Sequence, residues 1–169
     1  MIKKELFFIS REKEWELIQQ ILTNVDNRDF DPDDTCILMV SPDYSATFAM
    51  VLSHAWSFKG RIIPIIPVDV PYPTENYRSF KDKFLGQKEH VKKYKKLICV
   101  EAGIIRGSNW VWLLDVITKD FGYDRKDVTL VAMCENVHSK VKSDYVGEYY
   151  DNEIKELTFY FEKFNKNWI

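Results

Sequence analysis

Apolar positions along the chain fall into short blocks separated by polar stretches, and the blocks carry two kinds of pattern. KELFFIS is a short strand-like run. In the following REKEWELIQQILTNV, residues Trp15, Ile18, Ile21, Leu22 and Val25 recur near three- and four-residue spacings, which predicts an amphipathic helix with Ser10 as its cap. Asp31-Pro32-Asp33-Asp34 closes that unit and leads into CILMV. A continuous apolar run of this kind suits a parallel sheet covered on both faces, and SPDYSATFAMVLSHAW behind it reads as a turn and a helix. RIIPIIPV is the next strand, where Pro64 and Pro67 each delete a ladder amide and predict an edge or bulged position.

From Asp69 to Lys96 the pattern weakens. Prolines at 71 and 73, one glycine at 86 and the lysine-rich QKEHVKKYKK predict a long loop and a short helix. Then come KLICV, a polar turn holding Gly103, Arg106, Gly107, Ser108 and Asn109, a helix through VWLLDVITKDFG, the strand VTLVAMC, and the segment DYVGEYYDNEIKELTFYFEKFNKNWI. Strands rich in Val, Ile and Leu that alternate with helices predict a doubly wound α/β fold, a mainly parallel sheet flanked by helices. Ligands of such sheets sit beyond the carboxyl ends of the strands, so the turns after CILMV and KLICV are the candidate site.

Composition narrows this picture. The 169 residues, 46% hydrophobic and 15% aromatic, fit one domain over 1–169. A formal charge of -2 supplies no whole-molecule field for nucleic acid, and no apolar run approaches the roughly 18 residues of a membrane span. The apolar patch Leu6 to Ile9 is too short for a signal peptide, so a cytoplasmic location is expected. Cys36, Cys99 and Cys134 each lie in or beside an apolar run with no metal or redox spacing, and read as buried free thiols. His54, His90 and His138 form no triad. Lys81, Lys83, Lys88, Lys92, Lys93, Lys95 and Lys96 make a basic stretch, and Asp144, Glu148, Asp151, Glu153 and Glu156 an acidic one, so the two could form opposite faces that favour self-association or a charged protein partner.

Taken in order, FFIS plus helix, CILMVSPDYSATFAMVL, LICVEAGIIRGSNW, VTLVAMCEN and KSDYVGEYYDNEIKELTFYFEKFNKNW resemble the purine phosphoribosyltransferases, particularly the hypoxanthine-guanine type, over nearly the whole chain. The ending carries the resemblance best, since the family reads close to K-P-D-Y-V-G before a strand and an acidic-aromatic tail. The resemblance implies a phosphoribosyltransferase-like sheet with a small hood-like part from the termini, and assembly as a homo-oligomer.

The family signature is a strand followed by V-[ED]-D-I-[IV]-D-[ST]-G-x-[ST]. By resemblance, its paired acids contact the ribose hydroxyls of phosphoribosyl pyrophosphate and its magnesium, its third acid acts on the purine, and its last turn holds the 5'-phosphate. On this chain Glu101 keeps the first acid, while Ala102 and Ile105 replace the second and third. Arg106, Gly107, Ser108 and Asn109 form the phosphate turn, with Arg106 and Asn109 in place of hydroxyl residues. The family's Leu-Lys-Gly-Gly pyrophosphate loop is matched by Ser41-Pro42-Asp43-Tyr44, which loses one amide, gains a negative charge and has no glycine. Glu135, Asn136, Ile154 and Glu162 fall at the base pocket, Lys140 and Lys142 are the nearest cations to the expected purine-binding lysine, and Lys166 stands about where the family has arginine. Trp110, Trp112, Tyr149 and Tyr150 are aromatics that either fill a vacated pocket or pack the core.

Two readings follow. One is a phosphoribosyltransferase-fold protein that has lost the transfer and works by binding a phosphorylated ligand, such as a nucleotide, or a protein partner. The other is a divergent nucleotide-salvage enzyme acting on a purine base, in which Glu101, Asp43 or Glu135 would take over the lost roles around magnesium; no other metal or cofactor is implied.

Overall fold

The computed structural model describes residues 6–25, 30–69, 77–151 and 156–159, the side chains of 6–8, 42–44, 77–79 and 156–159 excepted. Strand β1 (Leu6–Ile9) leads into α1 (Arg11–Asn24), which starts where the Lys13 amide donates to the Ser10 hydroxyl at 3.2 Å. Next come β2 (Thr35–Val40), α2 (Pro42–Ala55) and β3 (Ile65–Val68). They are followed by α3 (Tyr77–Leu85), α4 (Lys88–Val91), β4 (Lys96–Ile104) and α5 (Ser108–Asp115). Strands β5 (Val128–Asn136), β6 (Tyr145–Tyr150) and β7 (Glu156–Phe159) complete the order.

Five strands form a parallel sheet in the order β3-β2-β4-β5-β6, flanked by helices as the sequence predicts. β1 stands apart and pairs in parallel with β7, Leu6 opposite Glu156, so the segments nearest the two ends of the sequence make their own two-stranded piece. β3 lies at the edge, as its prolines require: Pro64 offers only its carbonyl, which accepts from the Ile37 amide at 2.8 Å.

The two sheet faces bury separate cores. On one, Ile18 and Ile21 of α1 and Phe48 and Leu52 of α2 pack over Ile37, Ile98 and Val100. On the other, Phe84, Val91, Trp110 and Leu113 pack over Leu38, Cys99 and Leu130. Strands covered on both sides need apolar residues at every position, which is why CILMV and LICV show no alternation. All three cysteines are buried and free, and burial pushes the Cys36 and Cys134 thiols up to about 12.

Three expectations change. The inward face of α1 is Glu14, Leu17, Ile18 and Ile21, while Trp15 is 52% exposed; the helix is turned by about one residue from the face the aromatic suggested. Residues 77–91 are mostly helical rather than loop, because Phe84 and Val91 plant the lysine-rich segment in the core and leave its lysines to solvent. The helix after the polar turn is α-helical only to Asp115; Val116–Phe121 is a π-helical turn, ended by Gly122 at φ 80°, and it sets Phe121 against Phe84 with ring centroids 4.8 Å apart. No helix among the described residues is long and apolar enough to cross a membrane.

Candidate functional site

The order in which strands are added reverses between β2 and β4, which run parallel. From β2 the chain moves by α2 to β3 on one side, and from β4 it moves by α5 to β5 on the other, so the carboxyl ends of β2 and β4 flank the switch point of the sheet. Both turns expected to matter, 41–44 and 105–109, lie there.

Glu101 occupies the centre of this place, only 5% exposed. It is not a strand-end residue: β4 runs three residues further, with Gly103 opposite Cys134 and Ile104 opposite Glu135, so the turn begins at residue 105. One carboxyl oxygen, Oε1, accepts from Asn109 Nδ2 at 2.8 Å and from the Ser41 hydroxyl at 3.4 Å. The other, Oε2, is buried with no hydrogen-bond partner among the described residues. Burial raises the carboxyl well above its ordinary value, to about 7, and the two hydrogen bonds pull the other way.

Its two partners come from the starts of two helices. Ser41 precedes α2 in a left-handed conformation, φ 50°, and does not cap the helix because its hydroxyl is turned to Glu101. Pro42, in the first turn of α2, has no amide to cap. Asn109 lies in the first turn of α5, which begins at Gly107, φ 70°, again without a side-chain cap. Two helix N-termini and one buried acid therefore form a single hydrogen-bonded unit across 60 residues of sequence.

The missing acids are placed differently from each other. Ala102 is fully buried on the opposite face of β4, in the core under α1 and α2, and its amide donates to the Ser45 hydroxyl at 3.0 Å. Ile105 is half-buried in the turn. Arg106 and Ser108 are exposed, whereas Gly107 is buried under the loop between β5 and β6. A Cβ on Gly107 would lie 2.3 Å from Ser139 Oγ and 3.1 Å from the amide nitrogens of Lys140 and Val141. The glycine thus has a reason to be there that involves no ligand, and the Lys140 amide ties this loop to the Arg106 carbonyl at 3.2 Å.

Two of the residues expected at the base pocket, Glu135 and Asn136, are engaged by the protein itself. Glu135 is fully buried; its Oε2 accepts from the Ser143 amide at 2.8 Å, and its Oε1 lies 3.3 Å from the Lys142 ammonium. That ammonium also donates to the carbonyls of Asn136 and Val137 at 3.0 and 2.7 Å. Of the two nearest cations, Lys142 is the one that lies beside Glu135, whereas Lys140 is exposed. Asn136 Oδ1 accepts from the His138 amide at 2.8 Å. Trp110, fully buried, donates from Nε1 to the Ser143 hydroxyl at 2.9 Å, and the Tyr150 hydroxyl donates to the Ile104 carbonyl at 2.9 Å. Ser45, Ser139 and Ser143, which sequence reasoning passed over, hold these loops; single serines carry no pattern that would have revealed them. Ile154, Glu162 and Lys166 lie outside the described residues, as do the side chains of Pro42, Asp43 and Tyr44.

Three acids of the acidic stretch have partners, while Glu153 and the side chain of Glu156 lie outside the described residues. Asp144 pairs with Arg125, Glu148 with Lys13 and Asp151 with His138, at 2.9, 3.1 and 2.9 Å. Among the described residues no group of three or more His, Cys, Asp or Glu is arranged to hold a metal ion, and Glu101 alone does not make such a site.

No family model and no curated protein sequence matches the chain. Solved structures do. A xanthine-guanine-hypoxanthine phosphoribosyltransferase of Helicobacter pylori is similar with a TM-score of 0.61 and 15% identity, over 96% of this chain and 97% of that one. The chain has a phosphoribosyltransferase-like fold. A purine phosphoribosyltransferase from Pyrococcus horikoshii is similar with a TM-score of 0.59 and 14% identity, over 92% of each chain. A hypoxanthine phosphoribosyltransferase of Trypanosoma cruzi, in complex with its product IMP, gives 0.50 and 13%, over 82% of this chain and 78% of that one. On this phosphoribosyltransferase-like fold, the switch point is where Glu101, Ser41 and Asn109 meet.

Proposed function

We propose that this chain, acting as one domain, is a phosphoribosyltransferase-fold protein that no longer transfers phosphoribosyl groups and instead binds a phosphorylated small molecule at the turn 105–109. The observation that carries the reading is Glu101. The one acid kept from the family signature is buried, and its Oε1 is engaged by Asn109 and Ser41, which leaves it poorly placed to receive a sugar or a metal. A buried carboxyl spent on holding its own loops is a weak ligand for substrate, and Ile105 and Ala102 have no group to take its place.

Binding is supported by what remains at the rim. Arg106 and Ser108 are exposed beside the uncapped start of α5, where amide dipoles favour an anion, and Lys140 is exposed on the loop tied to Arg106. Gly107 and Asn109 shape the turn from beneath. Calorimetric titration with phosphoribosyl pyrophosphate plus magnesium, then with purine nucleoside monophosphates, tests this, alongside an assay of pyrophosphate release with hypoxanthine, guanine and adenine. Binding without turnover is expected. Turnover with any base would establish the divergent salvage enzyme instead, and absence of binding to all these compounds would direct the search to a protein partner.

A further inference from the structure

We propose that the groove between α1 and α2 is the docking site of the chain's own segment Tyr160–Ile169, which follows β7 and lies outside the described residues. The groove holds about 640 Å³, and its walls include Trp15, Gln19 and Leu22 of α1 and Thr47, Met50 and Val51 of α2. Trp15 and Met50 are 52% and 55% exposed, although the two helices bury their inner faces in one core. No lysine, arginine or acid lines the groove, and His54 is its one titratable group. An anionic ligand finds no fixed cation there, so the lining suits an apolar occupant.

Position, pattern and length select the occupant. β1 and β7 pair in parallel with Ile9 opposite Phe159. Ser10, the next residue, caps α1, so the chain leaving β7 sets out about 5 Å, one strand spacing, from the start of that helix. Trp15, the first groove residue of α1, follows about one turn later. Because α1 leads to the start of β2 and α2 departs from its end, the two helices run the same way, and the groove extends away from that starting point. At helical spacing Tyr160, Phe161, Phe164 and Trp168 share one face, and Glu162, Lys163, Lys166 and Asn167 share the other. From Phe161 to Trp168 a helix would rise about 10 Å, the same seven steps that separate Trp15 from Leu22 along α1. A helix laid in this groove would give its large apolar side chains a partner and leave its lysines in water. Tethering through β7 supplies an effective concentration on the order of mM, so modest apolar contact is sufficient.

Disulfide trapping in the full chain tests this. Cys36, Cys99 and Cys134 are buried, so a mild oxidant reads an added pair alone. Met50→Cys with Phe164→Cys should close within one chain at least about tenfold faster than Glu89→Cys with Phe164→Cys, because Glu89 is exposed on α4, on the other sheet face. Equal rates for the two pairs overturn the proposal. A disulfide joining two chains would give the groove to a second copy and overturn it as well. A double-mutant cycle provides a readout without added cysteines. Met50→Ser and Phe164→Ser should each lower the urea midpoint, and the two together should lower it little beyond the larger single shift, because both report one contact. Shifts that add in full would place Phe164 away from the groove and sink the idea.

Discussion

Gly107 and Ser139 approach so closely that a single added methyl on the glycine would meet the serine hydroxyl at 2.3 Å. Gly107 also holds a left-handed backbone, φ 70°. Gly107→Ala should therefore lower stability by roughly 2 to 4 kcal/mol, combining backbone strain with overpacking. Adding Ser139→Gly should recover the largest steric part, the Lys140 and Val141 amides at 3.1 Å remaining, and leave about 1 to 2 kcal/mol of backbone strain. Urea unfolding of the three proteins checks this, and equal stability of single and double variants would show that the contact is not the cause.

Restoring the signature acid at position 102 should not revive a site. Ala102 is fully buried on the α1–α2 side of β4, away from Glu101. Ala102→Asp would place a carboxylate without a charge partner in that core and cost roughly 3 to 5 kcal/mol at pH 8. The loss should shrink at pH 5 as the group is neutralised. A thermal melt at both pH values measures it, and a variant as stable as the native protein would mean that residue 102 turns toward the site.

Stability itself should depend on Glu101. Its carboxyl is raised from 4.5 to about 7 in the folded protein, so the folded state binds the proton more tightly. The stabilisation is complete below about pH 4.5 and is lost as pH rises through 7. Glu101→Gln should match the native protein near pH 5 and exceed it by on the order of 3 kcal/mol at pH 8.5. Denaturant titrations across that range would disprove this if the two curves run parallel.

The thiols should be silent in the folded chain. Cys36 and Cys134 are pushed to about 12 and Cys99 is raised further, all by burial, so a thiol reagent at pH 8 meets neither access nor thiolate. Labelling should follow global unfolding and rise with denaturant as the unfolded fraction does. Rapid labelling of any cysteine in native buffer contradicts the packing described.

For the ligand reading, Arg106→Ala should weaken nucleoside monophosphate binding about tenfold, one charge-assisted contact, while leaving the melting temperature unchanged because the side chain is exposed. Unaltered affinity would place the phosphate elsewhere.

The parallel sheet with two covered faces was readable because CILMV, LICV and VTLVAM leave no polar position for a solvent face, and Pro64 and Pro67 barred β3 from the sheet interior. The end of β4 was misjudged because Gly103 looks like a turn residue; its pairing with Cys134 is a tertiary fact that local propensity does not contain. The lysine-rich 77–91 hid its helices because two apolar anchors, Phe84 and Val91, are few among so many charges. At the site, the replaced residues were visible, but not that Glu101 is buried and shared between Ser41 and Asn109. Sequence reports which group is present, and only packing decides whether it faces water or another loop.

The pairing of β1 with β7 gives this fold a particular birth order. On a ribosome, Leu6–Ile9 is made before any strand of the five-stranded sheet, and its partner Glu156–Phe159 only after all five. At ordinary translation speeds that is a wait of roughly 10 to 30 s, with the edge of β1 unsatisfied. Among the described strands β1 thus waits longest for its partner, and a chain truncated before residue 156 would keep all five strands of the main sheet and leave β1 an orphaned ribbon.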